Sequence, residues 1–295
     1  MSAQETLPAP SAHRAQQTTQ ATRVDFVKLS PTQNMTVLVR SVHPVASYRA
    51  IAAQLLSVAH VHAEQVGFVR EATTPAAHVR LHMAGDEFCG NACMALAALT
   101  ALESGLRDGE RTEVTVESSG VEEPLTCRVE RHGDDYECQL PMPAPDRVEP
   151  HPFGGPATGG SSLVRYDDAV HLVVECDELD PATRAHAEQV AAQLAAAEDV
   201  PLVGVMLYDP QRLELAPLVA VPSLDSLVWE RSCGSGTAAV GAHLADAAGA
   251  PVSTDLLQPG GTMHVRADVD DEGGTALRIS GRVRVVAEGT AYVHD

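Results

Sequence analysis

Apolar and polar residues alternate with a period of two over several short runs in the first half of the chain. The pattern predicts strands at 24–29, 35–40, 66–70, 78–83, 113–117, 125–130 and 136–140. Two helical patterns interrupt them. One carries Ile51, Leu55 and Val58 on a common face behind Ser47, a residue type suited to capping a helix start. The other begins at Cys89, runs through Met94, Ala95, Ala98 and Leu102, and stops before Gly105. A proline- and glycine-rich stretch over 141–160 breaks both periods, and 146–160 reads as a linker. The second half then repeats the plan. A strand at 170–175 precedes a helix over 181–197 with proline in its first turn, and strands follow at 202–208 and 213–219. A second apolar helix over 236–248 and strand runs at 263–267, 277–280, 283–287 and 291–294 close the chain.

The helix after each of two cysteines is apolar on nearly every side, and such a helix has to be buried. The expected fold is therefore α+β. It has two pseudo-symmetric halves, 24–145 and 161–295, each a mixed β-sheet or barrel wrapped around a central helix. The last strand could pair with the N-terminal half. A functional site is expected in the cleft between the halves.

Composition removes several classes of function. The formal net charge of −20 leaves no basic stripe for a phosphate backbone or an anionic membrane surface. No run approaches the roughly 20 apolar residues of a membrane-spanning helix. Residues 1–23 are rich in Gln, Thr, Ala and Pro, lack the apolar core of a signal peptide, and read as a disordered leader. Six cysteines without an export signal point to reduced thiols and a cytoplasmic location. Of 20 basic residues only Lys28 is a lysine, and it lies in a strand pattern with no phosphate-binding glycine loop beside it. Pyridoxal phosphate needs a lysine for its Schiff base, so no cofactor of that kind is expected.

Candidate chemistry gathers at Phe88-Cys89-Gly90-Asn91 and Ser232-Cys233-Gly234-Ser235-Gly236, about half a chain length apart. Two thiols presented by two similar halves can stand on opposite faces of one carbon, one taking a proton while the other gives. A helix N-terminus favours thiolate and so should lower each thiol pKa. The unpaired N–H groups at the same place suit a carboxylate that gains charge as its α-carbon is deprotonated. The pattern thus predicts an amino-acid racemase. Cys127, Cys138 and Cys176 lie inside strand patterns and read as packing residues. Cys93, one turn after Cys89, reads the same way, because no second ligand pair has zinc spacing and no metal is expected.

The paired Cys-Gly-Asn and Cys-Gly-Ser-Gly-Thr motifs, with the turn at Pro259-Gly260-Gly261, resemble those of the diaminopimelate epimerase family. Further segments are similar to the histidine racemases of opine-metallophore biosynthesis, among them Asn34-Met35-Thr36-Val37, Glu64-Gln65-Val66-Gly67-Phe68 and Trp229-Glu230-Arg231. The resemblance implies Cys89 and Cys233 as the two bases. It implies Gly90, Asn91, Gly234 and Ser235 as carboxylate binders, and Asn34, Glu64 and Glu230 near the substrate. The expected partner is a small-molecule amino acid, with no nucleic acid or membrane, and a symmetric dimer is the commonest default for any such chain. Relative to the epimerases, Leu202 takes the place of an asparagine and His171 follows Ala-Val where asparagine-proline is expected. Arg231 departs from the histidine racemases. Three alternatives stay open: an epimerase of diaminopimelate or another diamino acid, an isomerase of the phenazine-biosynthesis type using Glu64, Asp86 or Glu87 as base, and a binding protein without turnover.

Overall fold

The computed structural model describes residues 21–154, 159–224, 226–269 and 274–294; residues 1–20 of the expected leader and 155–158 of the expected linker lie outside the described residues. The first half contains β1 (Thr22–Pro31), β2 (Thr36–Val39), α1 (Tyr48–Leu56), β3 (Gln65–Arg70), β4 (Val79–Met83), α2 (Gly90–Glu103), β5 (Arg111–Ser118), β6 (Leu125–His132), β7 (Asp135–Met142) and β8 (Arg147–Pro150). The second contains β9 (Ser161–Arg165), β10 (Ala169–Glu175), α3 (Pro181–Ala197), β11 (Leu202–Asp209), β12 (Glu214–Val221), β13 (Ser226–Trp229), α4 (Gly234–Ala248), β14 (Val252–Gln258), β15 (Gly261–Val269) and β16 (Thr275–Val293).

The two halves share one connectivity. An antiparallel pair, β1/β2 or β9/β10, leads through a helix to a parallel neighbour, β3 on β2 or β11 on β10. An antiparallel strand follows, β4 or β12, and then the apolar helix, which returns the chain to a parallel strand, β5 beside β4 or β14 beside β12. The last strands are exchanged. β7 pairs with β16, and its continuation β8 pairs with β9. The far part of β16 pairs with β1, from Pro31↔Val283 to Thr22↔Val293. Strands β1 to β7 with β16 therefore close a barrel around α2, while β16, β15, β14, β12, β11, β10, β9 and β8 curl around α4.

Side-chain size explains why these two helices sit inside. Ala92, Ala95, Ala97, Ala98 and Ala101 of α2, and Ala238, Ala239 and Ala242 of α4, let the surrounding strands approach closely, while Met94 and Leu96 fill what remains. The other two helices cover the outside. Tyr48 of α1 stacks on Phe68 with ring centroids 3.6 Å apart, and Ala187, Ala191 and Leu194 of α3 seal the outer face of β11 and β12. Helices on both faces make β11 buried along almost its whole length, hence its nearly unbroken apolar run.

Several expectations need correction. Ser47 makes no capping bond; its hydroxyl donates to the Pro44 carbonyl at 2.7 Å, inside a short 3-10 turn. Val58 lies past the end of α1 and is 79% exposed. The stretch read as a linker holds β8, and β9, β13 and β14 were not anticipated. The three runs expected at 277–294 are a single strand, β16. Among the described residues no helix is long and apolar enough to cross a membrane.

Candidate active site

Cys89 and Cys233 occupy equivalent positions, each the residue that caps its buried helix. Their backbones match, at φ −135°, ψ 105° and φ −128°, ψ 115°. The extended conformation turns each chain into its helix and leaves the first helical N–H groups without intrahelical acceptors. Both cysteines, together with Gly90, Asn91, Gly234 and Ser235, line one cavity of about 600 Å³ between the halves. Two helix N-termini thus face a single space, which favours an anion there.

The cysteine loops are locked to one another. The carbonyl of Ser232 accepts from Asn34 Nδ2 at 2.9 Å and from Asn91 Nδ2 at 3.1 Å, both across from the opposite half. Gln258 fixes the other side of Cys233: its Oε1 accepts the Cys233 N–H at 2.8 Å, and its Nε2 donates to Thr237 Oγ1 at 2.7 Å. Thr237 in turn donates to the Cys233 carbonyl at 2.7 Å. The Pro259-Gly260-Gly261 turn closes this frame. Gly260 donates its N–H to the Arg231 carbonyl at 2.7 Å, and a Cβ there would sit 2.3 Å from the Thr32 carbonyl oxygen, so only glycine fits.

Three carboxyl groups line the same cavity. Gln65 Nε2 donates to Glu230 Oε1 at 3.1 Å, and Glu230 lies beside the Cys233 thiol on the cavity wall. Burial pushes Glu230 up to about 8, and the nearby Glu64 charge adds to the effect. Glu64 is raised to about 7 by burial, against the backbone N–H and charge of Arg231, and its Oε2 has no partner. Glu87 is also raised by burial.

Burial likewise pushes both thiols well above their ordinary range, which overturns the expectation of lowered values. The backbone N–H of Ala92 at Cys89, and of Gly236 at Cys233 (3.3 Å to Sγ), favours thiolate, but desolvation and the Glu230 charge outweigh it.

Of the residues singled out in the sequence, Cys89, Gly90, Asn91, Glu64, Glu230, Cys233, Gly234 and Ser235 border the cavity. Asn34 does not line it; it is fully buried behind the Ser232 carbonyl. Asp86, considered as a base, turns outward to His82 and Arg49. Arg231 points its guanidinium at Gln33 Oε1 and the Pro259 carbonyl. Cys93, Cys127 and Cys138 pack in the main core and Cys176 beneath α3. Gln65 and Gln258 were missed, although Gln65 follows Glu64 within a segment already quoted. Among the described residues no cluster of three His, Cys, Asp or Glu side chains could hold a metal.

The pair of barrels, each around an inner helix, is the fold of proline-racemase- and epimerase-like proteins. The chain belongs to the histidine racemase family: residues 23–292 match the family described as "Histidine racemase CntK N-terminal domain". A histidine racemase of Staphylococcus aureus is 33% identical over 276 residues, covering 92% of this chain and 98% of the relative. In fold, the chain is similar to a structure titled a predicted epimerase from Pseudomonas aeruginosa (TM-score 0.66, 14% identity, 90% of this chain and 98% of that one). A hydroxyproline epimerase from Agrobacterium vitis, with bound trans-4-hydroxy-L-proline, superposes with TM-score 0.63 at 14% identity, covering 92% and 93%. The protein is an isomerase of the amino-acid racemase class.

Proposed function

We propose that this racemase interconverts L- and D-histidine without a cofactor, with Cys89 and Cys233 as its paired acid and base. One observation carries the proposal: the two cysteines are matching caps of two buried helices and border one cavity. The substrate carboxylate sits between the helix N-termini, among the N–H groups of Gly90, Asn91, Gly234 and Ser235. The α-ammonium faces Glu64 and Glu230, whose raised pKa values fall once a cation stands beside them. An ionised Glu230 takes the Cys233 proton, and the resulting thiolate removes the α-proton from one face. Cys89 then delivers its own proton to the other face. The carbanion's charge runs into the carboxylate, where the two helix ends stabilise it. In the reverse direction Cys89 is the thiolate and Cys233 the acid.

The family of relatives supports histidine as substrate, and the cavity's chemistry agrees. Its carboxyl groups suit a side chain that brings hydrogen-bond donors. Lys28 supports independence from pyridoxal phosphate. Its Nζ is tied to the carbonyls of Val61 and His62 at 3.2 and 2.7 Å, and it is not among the described residues lining the cavity. All six thiols are free, as in a reducing cytoplasm. On the family resemblance, D-histidine is the building block passed to an opine-type metallophore.

Purified chain incubated with L-histidine in heavy water, with no cofactor added, should replace the α-proton with deuterium and build up the D-isomer. Exchange on LL-diaminopimelate in preference to histidine would move the substrate to a diamino acid. No exchange on any of the common amino acids would overturn the function.

A further inference from the structure

The wall next to Cys89 carries a carboxyl group that the proton transfer does not use. Glu87 is only 8% exposed, and its Oε2 has no hydrogen-bond partner. A buried acceptor left empty costs about 1–3 kcal/mol, so the carboxyl gains by turning toward a donor that a ligand brings into the cavity. Glu87 borders two spaces at once: the main cavity, and a narrow annex of about 20 Å³ that it shares with Tyr166, Asp168 and His171. The annex has room for about one water, so a ring must stay in the main cavity. Phe88 and Leu202 also border both spaces and give the same wall an apolar surface. Glu87 lies two residues before Cys89 on the loop that leads into α2, whereas Glu230 lies three residues before Cys233 and is held by Gln65. Glu87 therefore belongs to the Cys89 wall of the cavity, and Glu230 to the Cys233 wall.

We propose that Glu87 is the specificity residue of this racemase, its carboxyl turning to accept a ring N–H of the substrate imidazole while Phe88 and Leu202 hold the ring faces. The proposal rests on histidine being the substrate. Gly85 is part of the device. A Cβ at Gly85 would lie 2.5 Å from Glu87 Oε2, so glycine there leaves the carboxyl room to fold back over its own loop.

The test compares L-histidine with L-β-(2-thienyl)alanine, a five-membered-ring isostere that has no ring N–H. Solvent deuterium exchange and binding to wild type, Glu87→Gln, Glu87→Leu and Gly85→Ala would be measured on both. Glu87→Leu should lower kcat/KM for histidine about 10- to 100-fold, mostly through KM, and leave thienylalanine unchanged or improved. Glu87→Gln, which keeps an acceptor, should recover part of the loss. Gly85→Ala, which displaces the carboxyl without removing it, should shift selectivity in the same direction as Glu87→Leu. Equal losses on both substrates, or no change on either, would overturn the role of Glu87. A wild-type chain that neither binds nor exchanges histidine would overturn the substrate assignment beneath it, a separate result read from the unmutated protein.

Discussion

Asn91, the second residue of α2, donates its side-chain amide to the carbonyl of Ser232, the residue before Cys233, at 3.1 Å. A loop of one half is thereby held by a helix start of the other, and the spacing between the two thiols is fixed by a bond that touches neither. Asn34 donates to the same carbonyl at 2.9 Å, so a single loss is partly covered. Asn91→Ala should cost about 1 kcal/mol, or about 2–4 °C in Tm. Asn34→Ala combined with Asn91→Ala should cost more than the two singles added, because the buried carbonyl then has no donor. Thermal unfolding of the four proteins measures this, and strict additivity would contradict a shared acceptor.

Replacing either sulfur should stop net inversion. Cys89→Ser and Cys233→Ser are each expected to lower the racemisation rate at least ~100-fold, the usual scale of general acid–base catalysis. The folded structure should survive, since both positions border the cavity. Circular dichroism and chiral chromatography of the product together check the claim. A serine variant with near-normal turnover would point to a carboxylate base instead.

Glu230 makes stability depend on pH in a defined direction. Its folded pKa of about 8 lies above the ordinary 4.5, so the folded state holds this proton more tightly than the unfolded chain. The contribution is complete below 4.5 and is lost as pH rises through 8. Ligand-free Glu230→Gln, which is neutral at every pH, should match wild type in Tm at pH 4 and exceed it by several degrees at pH 9. An equal difference at both pH values would contradict the buried, proton-holding carboxyl.

The Pro259-Gly260-Gly261 turn should tolerate no side chain at its centre. Gly260→Ala places a methyl 2.3 Å from the backbone oxygen of Thr32, which no rotamer can relieve. The turn must move and take the Gly260-to-Arg231 bond with it, one residue from Ser232. A loss of about 1–3 kcal/mol in stability, with a larger fall in kcat than in substrate affinity, is expected from denaturant titration and kinetics. Unchanged kcat would show that the turn does not govern the cysteine loop.

The inner helices were legible because α2 and α4 have apolar residues on every face, a pattern with no other stable placement. The long β16 was not. Gly281 and Gly289 punctuate it like turns, yet both lie within the strand, and Gly281 is there because a Cβ would press within 2.9 Å of Thr32 Oγ1. β14 reads as a loop because Ser253, Thr254 and Asp255 crowd its first half, and its pairing with β15 overrides their preferences. At the site, cysteine and glycine announced themselves by their spacing. Gln258 did not: it acts through a contact 25 residues away, which no local pattern encodes. The thiol pKa direction also escaped the sequence, since a helix N-terminus is visible there but desolvation is not.

The central claim is that two sulfurs serve opposite faces of one carbon, and the fate of the proton tests it most directly. L-Histidine is incubated with the enzyme in heavy water and the reaction stopped at low conversion, and the isomers are separated and weighed by mass spectrometry. Two bases predict D-histidine carrying deuterium at the α-carbon while the remaining L-histidine keeps its proton. D-histidine that retains the original proton, or equal deuterium in both isomers from the outset, would contradict the paired roles of Cys89 and Cys233.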